Sequence, residues 1–118
     1  MKRVKWTKVE NIHDHVVSTL TNEAEDIPMT KIEARSWCLK VIDLNKLSFD
    51  KELISTHDNE EIHIIRRDGF IESIKTHKEI PPLIALGEKL YLVDGYARFR
   101  ALLKLEIKTA KVICQICP

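Results

Sequence analysis

Apolar positions recur at different periods along the chain and divide it into short elements. "RVKWTKV" sets Val4 and Trp6 among polar neighbours, which is the period of a strand. "NIHDHVVSTLTNEAE" places Ile12, Val16, Val17 and Leu20 at helical spacing, then runs into acidic residues before the break at Pro28. "SWCLKVID" alternates Trp37, Leu39 and Val41 with Cys38 and Lys40 and predicts a strand. "DLNKLSFDKELISTHDN" follows as a polar connection with room for one or two turns of helix. "NEEIHIIRRDGFIESIKTHK" sets Ile64, Ile71 and Ile74 on one helical face, with Asp58 or Asn59 placed to cap its start. Gly69 costs about 1 kcal/mol relative to Ala inside a helix. The pattern therefore predicts a short element, a joint and a second helix from Phe70.

The C-terminal third is more explicit. Pro81-Pro82 stop the preceding helix, and two apolar runs, Leu83 to Leu86 and Leu90 to Val93, flank the turn Gly87-Glu88-Lys89 as a hairpin. A helix from Ala97 to Leu105 follows, and "AKVICQI" closes the chain as a strand. With both strands in one sheet, this strand–helix–strand unit predicts a right-handed crossover. At 100° per residue, Phe99, Leu102 and Leu103 gather on the buried face of the helix. Arg100 and Lys104 fall on the opposite side, and Arg98 sits at the margin of the buried face in the first turn. A guanidinium there needs a carboxylate or a ligand anion, because a lone buried charge costs several kcal/mol. The free N–H groups at residues 95–98 and the positive end of the helix dipole would suit a phosphate. The plainer alternative is that Asp94 caps the helix and pairs with Arg98.

Composition narrows the function classes. The chain has 118 residues, 44% hydrophobic and 31% charged, which fits one globular domain. Nineteen Lys and Arg against 18 Asp and Glu give a net charge of +1, which argues against a broad grip on duplex DNA. No apolar run reaches the length of a membrane span, and the charged N-terminus is not a signal peptide. Three cysteines, an odd number, do not suggest a secreted disulfide framework, so a reducing cytoplasm is the expected compartment. There is neither a GxGxxG fingerprint nor a GxxxxGK[ST] loop.

"YLVDGYARFRALLKLEIKTAKVICQI" resembles the phosphate-binding segment of the ParB/sulfiredoxin-like superfamily. That segment reads GERRxRA in ParB partition proteins, DGHHR in archaeal free serine kinases and GCHR in sulfiredoxins. "VIDLNKL" is similar to the family's first strand, and "GFIESIKTHKEIPPLIAL" to its helix, proline pair and next strand. The resemblance covers roughly residues 39–117. It implies an α/β (α+β) fold, a small mixed sheet with packed helices, for residues 36–118. Residues 1–35 then form an N-terminal strand and helix extension. It further implies a nucleotide, ATP, ADP or CTP, with Mg2+, held by Asp94, Gly95, Tyr96, Ala97, Arg98 and Arg100, and with Asp94 as a Mg2+ ligand. Gly95, Arg98, Arg100 and Ala101 match the ParB-type box; Asp94, Gly95 and Arg98 match the kinase-type box. Tyr96 stands where sulfiredoxins have their catalytic Cys, which argues against sulfinic-acid reduction. Tyr96 and Ala97 also replace the Glu-Arg of ParB and the His-His of the kinases.

A kinase-like phosphotransferase would act on a small-molecule acceptor and need a carboxylate base after the first strand. Asp50 and Glu52 stand nearest that place, with Glu60 and Glu61 as alternatives, beside the plain reading of solvated loop acids. The other function classes are a DNA-associated ParB-like partition or nuclease accessory and a non-catalytic interaction module; a homodimer is compatible with each. A chain ending at Pro118 leaves no room for a helix-turn-helix domain. Cys114 and Cys117 form a CxxC, but in a strand residues three apart point to opposite faces, and no second pair completes a zinc site. His13 and His15 would share a face in an extended segment and could there bind a metal, but no third ligand is in sight and surface histidines are the plainer reading. His57 could help at a phosphate site, although a loop histidine is the plainer reading, as a solvated face is for Arg66-Arg67.

Overall fold

The computed structural model describes residues 3–23 and 27–117, so residues 24–26, with two of the acidic residues that follow the first helical pattern, lie outside the described residues. Its centre is a four-stranded mixed sheet in the order β2-β6-β4-β5: β2 (Cys38–Asp43), β4 (Leu83–Leu86), β5 (Tyr91–Asp94) and β6 (Thr109–Cys114). β6 runs antiparallel to β2 and parallel to β4, and β4 pairs antiparallel with β5. The predicted hairpin and the mixed sheet are therefore present. β5 and β6 run in opposite directions with β4 between them. The handedness rule for parallel strands does not apply to their connection, and the expected right-handed crossover is withdrawn. A two-residue strand β1 (Lys5–Trp6) pairs parallel with β3 (Glu79–Ile80) as a separate ribbon.

Helices cover both faces. α3 (Lys51–Asn59), α4 (Glu61–Lys75) and α5 (Tyr96–Lys104) lie over one face, where Phe99, Ala101, Leu102, Ile74, Leu83, Leu92 and Val112 form the main core. α1 (Ile12–Glu23) and α2 (Met29–Ile32) cover the other, packing Val16, Leu20 and Ile32 with Trp37 against Ile84 and Ile113. α1 opens on a side-chain cap: the Asn11 carbonyl oxygen Oδ1 accepts the N–H of Asp14 at 3.1 Å. Its helical form puts His13 and His15 on different sides of the helix, not on the shared face of an extended segment.

Several expectations are corrected here. Leu39 and Val41 point outward, with Val41 66% exposed, while Cys38 and Ile42 turn to the core. β2 is an edge strand, and α1 and α2 do not reach over its outer face. The segment 44–59 is more ordered than a polar connection, because the Asp50 carboxylate caps α3 by accepting the N–H groups of Glu52 and Leu53. Asp58 and Asn59 end α3 and do not cap α4, which starts after Glu60 without a side-chain cap. α4 also runs unbroken through Gly69, with no joint. It stops before the prolines, at His77, whose φ of 59° is left-handed. Lys78 N–H reaches Ser73 O at 2.8 Å and His77 N–H reaches Ile74 O at 3.2 Å, the paired bonds of a Schellman end.

The cysteines are also not three independent thiols. Cys38 on β2 is joined by a disulfide to Cys117, just past β6, with Cα atoms 5.8 Å apart and a sequence separation of 79. Cys114 is a buried free thiol. An odd count thus conceals one pair, and the cysteines no longer argue for a reducing compartment. Among the described residues no helix is long and apolar enough to cross a membrane.

Two outcomes are expected. Gly69 is exposed, and a methyl group there would meet nothing within 4 Å. Gly69→Ala should therefore raise unfolding stability by about 0.5–1 kcal/mol in chemical denaturation. Thiol titration in denaturant without reductant should find only Cys114, with Cys38 and Cys117 appearing after reduction; a loop of this length corresponds to about 4 kcal/mol of stability.

Candidate functional site

The turn from β5 into α5 depends on Gly95. Its φ of 99° is left-handed, and a Cβ there would lie 2.6 Å from Leu83 Cδ2 and 3.1 Å from Arg98 Nη2. Only glycine permits both the turn and the close approach of Arg98. α5 then opens with no side-chain cap, and its first bond runs from Phe99 N–H to Gly95 O at 2.8 Å. The N–H groups of Tyr96, Ala97 and Arg98 thus precede the hydrogen-bonded ladder.

Arg98 is buried, as its position on the helix predicts, and its partners are within the protein. Nη2 donates to Asp94 Oδ2 at 2.7 Å; Nη1 donates to the carbonyl oxygens of Pro81 and Pro82 at 3.0 and 2.9 Å. The guanidinium also lies over the Phe70 ring, 5.8 Å from its centroid. The pairing with Asp94 is the plainer alternative from the sequence, without the cap. Arg100 is the larger surprise. It is buried and not on a solvent face, because the α3–α4 junction packs over that side of α5. Its Nε donates to Asp58 Oδ1 at 2.7 Å, and Nη1 donates to His63 O at 3.2 Å. Nη2 lies 2.7 Å from the same Asp58 oxygen but out of line, and makes no hydrogen bond. Leu103, expected on the buried face, is instead 47% exposed, and Ala101 takes its place in the core.

A cavity of about 610 Å³ opens where α5 begins. Asp94, Gly95, Tyr96, Ala97 and Arg98 form one wall, and His57, His63 and Arg66 from α3 and α4 form the facing one. His15 and Thr19 of α1 close a third side. Of the six positions the sequence singles out for the nucleotide, five line this cavity; Arg100 stands behind the wall. Asp50 and Glu52 do not line it. Asp50 is engaged as the α3 cap, and its N–H donates to the Tyr96 hydroxyl at 3.2 Å. The same hydroxyl donates to Leu92 O at 3.1 Å. Burial raises the Tyr96 pKa above its ordinary value, so the phenol stays protonated.

The His57 and His63 rings stack with centroids 3.8 Å apart and planes 18° from parallel. His57 is pushed below the usual histidine pKa, first by desolvation, then by His63, Arg100 and Arg66, with Glu60 opposing. Sequence reasoning names His57 and the Arg66-Arg67 patch only in passing and does not connect His63 to them. The two histidines come together because the chain bends between α3 and α4, and nothing in the spacing marks that bend. The cavity's charged groups are mainly cationic, and Asp94, the one carboxylate among its described lining residues, is engaged by Arg98. This donor set does not fit a protein-held Mg2+, and among the described residues no three His, Cys, Asp or Glu side chains gather to hold a metal.

Neither a protein-family model nor a curated protein matches the chain. Among solved structures it is similar to the pNOB8-like ParB N-domain, at 29% sequence identity and a TM-score of 0.51, over 67% of this chain and 27% of that one. The C2221 form of the Pnob8-like ParB-N domain gives 26% identity and a TM-score of 0.51, over 67% and 30% of the two chains. The chain therefore has a ParB N-terminal-like fold, as the sequence resemblance implies, while spanning less than a third of the length of those solved chains.

Among the described residues, Asp58→Ala would remove the only carboxylate paired with the buried Arg100. The expected loss is about 1–3 kcal/mol in chemical denaturation, well above an exposed ion pair. A loss below about 0.5 kcal/mol would mean that the pair does not hold the α3–α4 junction against α5.

Proposed function

We propose that this domain binds a nucleotide through its phosphates at the cavity where α5 begins. One observation carries the reading: the uncapped first turn of α5, together with Arg66, His57 and His63 of α3 and α4, lines a single space of about 610 Å³. Backbone N–H groups and the helix dipole favour an anion on one side. Arg66, His57 and His63 favour it on the other. The volume suits a nucleotide-sized molecule. The ParB N-terminal-like fold supports the same reading, since the box at Gly95 to Arg100 is where the family resemblance puts phosphates.

The roles differ from those the motif suggests. Arg98 and Arg100 shape the site from within, and Arg66 is the guanidinium free to reach a ligand. Phosphoryl transfer is not part of this proposal. It needs a carboxylate base in reach of the acceptor, and Asp94 is already paired. Mg2+ would enter, if at all, on the nucleotide's own phosphates.

Thermal unfolding with CTP, ATP, ADP and a sugar phosphate, each with and without Mg2+, tests the reading. A nucleotide at 100 times its Kd should add about 2.7 kcal/mol of stability. Arg66→Ala should reduce that shift while leaving the ligand-free midpoint nearly unchanged, since Arg66 is exposed. Absence of a shift with every nucleotide would sink the proposal, and a salt-sensitive shift with duplex DNA alone would favour a DNA-associated accessory instead.

A further inference from the structure

The stacked histidines are not the junction's sole tie; Arg100 also joins α3 to α4 through Asp58 and His63 O. Yet both rings line the cavity, half-buried, opposite the α5 N-terminus. Resting on the phosphate-binding reading above, we propose that the His57–His63 pair is a proton-linked anion ligand: a phosphate-type dianion binds there together with one proton.

The charges around the pair set the direction. From α4, Arg66 faces His57, and from α5 come Arg100 and, edge-on at 6.2 Å, Tyr96. The same wall system includes Arg98 paired with Asp94, and His15 on α1. The opposing acid is Glu60, whose Oε2 lies 3.7 Å from His63 Nε2. Burial first, and then His63, Arg100 and Arg66, hold the His57 pKa below its ordinary value and favour the neutral ring at neutral pH. A dianion seated between the rings and the helix N-terminus would reverse that balance, because an opposite charge within a few ångströms favours the imidazolium. Two rings in face contact at 3.8 Å repel if both are charged, so the pair takes up one proton and not two. The bound state then holds more protons than the free state, and affinity rises as pH falls from about 8, levelling off once the free site is protonated. A doubly charged terminal group benefits most, whereas the singly charged diesters of a nucleic-acid backbone gain less.

Sulfate is the probe, since it stays doubly charged across this range while phosphate does not. Its Kd, measured by titration calorimetry on the whole chain at constant ionic strength, should fall about tenfold between pH 8 and pH 6. Calorimetry in buffers of different ionisation enthalpy should report uptake of close to one proton near pH 7. The His57 ring signals in NMR should titrate at higher pH with sulfate than without. His57→Gln and His63→Gln, with unfolding midpoints measured alongside, should flatten the pH dependence; Arg66→Ala should weaken binding at every pH and keep the slope. Sulfate and nucleotide binding that is independent of pH in the wild type, with no proton uptake, would overturn the proton linkage and leave the nucleotide site standing. No binding of sulfate or nucleotide at any pH would overturn both.

Discussion

The corner between β5 and α5 depends on one buried guanidinium. Arg98 donates to two successive proline carbonyls and to the carboxylate four residues before it, with Phe70 beneath its flat face. Those bonds join three parts of the chain: the β3–β4 link, the end of β5 and the first turn of α5. Each partner suits the arrangement. The carbonyls of Pro81 and Pro82 belong to residues whose φ is fixed by the ring, so they are held in place without a ladder. Asp94 lies one residue before a glycine that must be left-handed for its carboxylate and the guanidinium to meet. A charge satisfied this fully is inexpensive to bury, whereas the same charge with one partner removed would not be.

Arg100 makes a second tie at the other side of the same helix, and it has a consequence for the site. By bonding Asp58 and the carbonyl of His63, it fixes where α3 ends and α4 begins. That fixes the two imidazoles on the cavity wall. The arginines of the motif therefore build the site more than they occupy it. Under the proposed reading, the groups left to meet a ligand have no sequence signature of their own: backbone N–H groups, two histidines from neighbouring helices and the exposed Arg66.

What the sequence reveals follows from how local each cause is. The hairpin at Gly87 and the strand–helix–strand order are legible because turn chemistry and short-range periodicity specify them. The buried Phe99 and Leu102 are legible for the same reason. α5 misleads because it is packed on two sides: the sheet covers one face and the α3–α4 junction covers another, so Arg100 is enclosed although a helical wheel sets it opposite the core. The end of α4 misleads because no glycine marks it: α4 stops on the left-handed non-glycine His77 and not at the prolines. α5 also stops on a left-handed non-glycine, Glu106, with Ile107 N–H on Leu102 O at 3.0 Å, but within a residue of where the pattern ends it. Gly69, by contrast, reads as a break and is not one, since packing of Phe70, Ile71 and Ile74 against the core outweighs a propensity term of about 1 kcal/mol. The outward turn of Leu39 and Val41 and the Cys38–Cys117 link depend on partners across the whole chain, and no local pattern encodes them.

Tyr96 shows how such a site can keep its shape while its side-chain chemistry changes. In the resemblance this position carries polar or reactive groups that touch the ligand. Here the hydroxyl is turned to the scaffold, donating to Leu92 O and accepting the N–H of Asp50. It thereby bonds the first turn of α5 to both the strand before it and the start of α3. Burial keeps the phenol protonated, so its donation to Leu92 persists across the range in which histidines titrate. The α5 N–H groups beside it do not titrate, whereas the cavity also contains the imidazole of His57. A fixed donor surface opposite a titratable one is an arrangement suited to gripping and releasing an anion. Among the cavity's described lining residues the one carboxylate, Asp94, is engaged by Arg98.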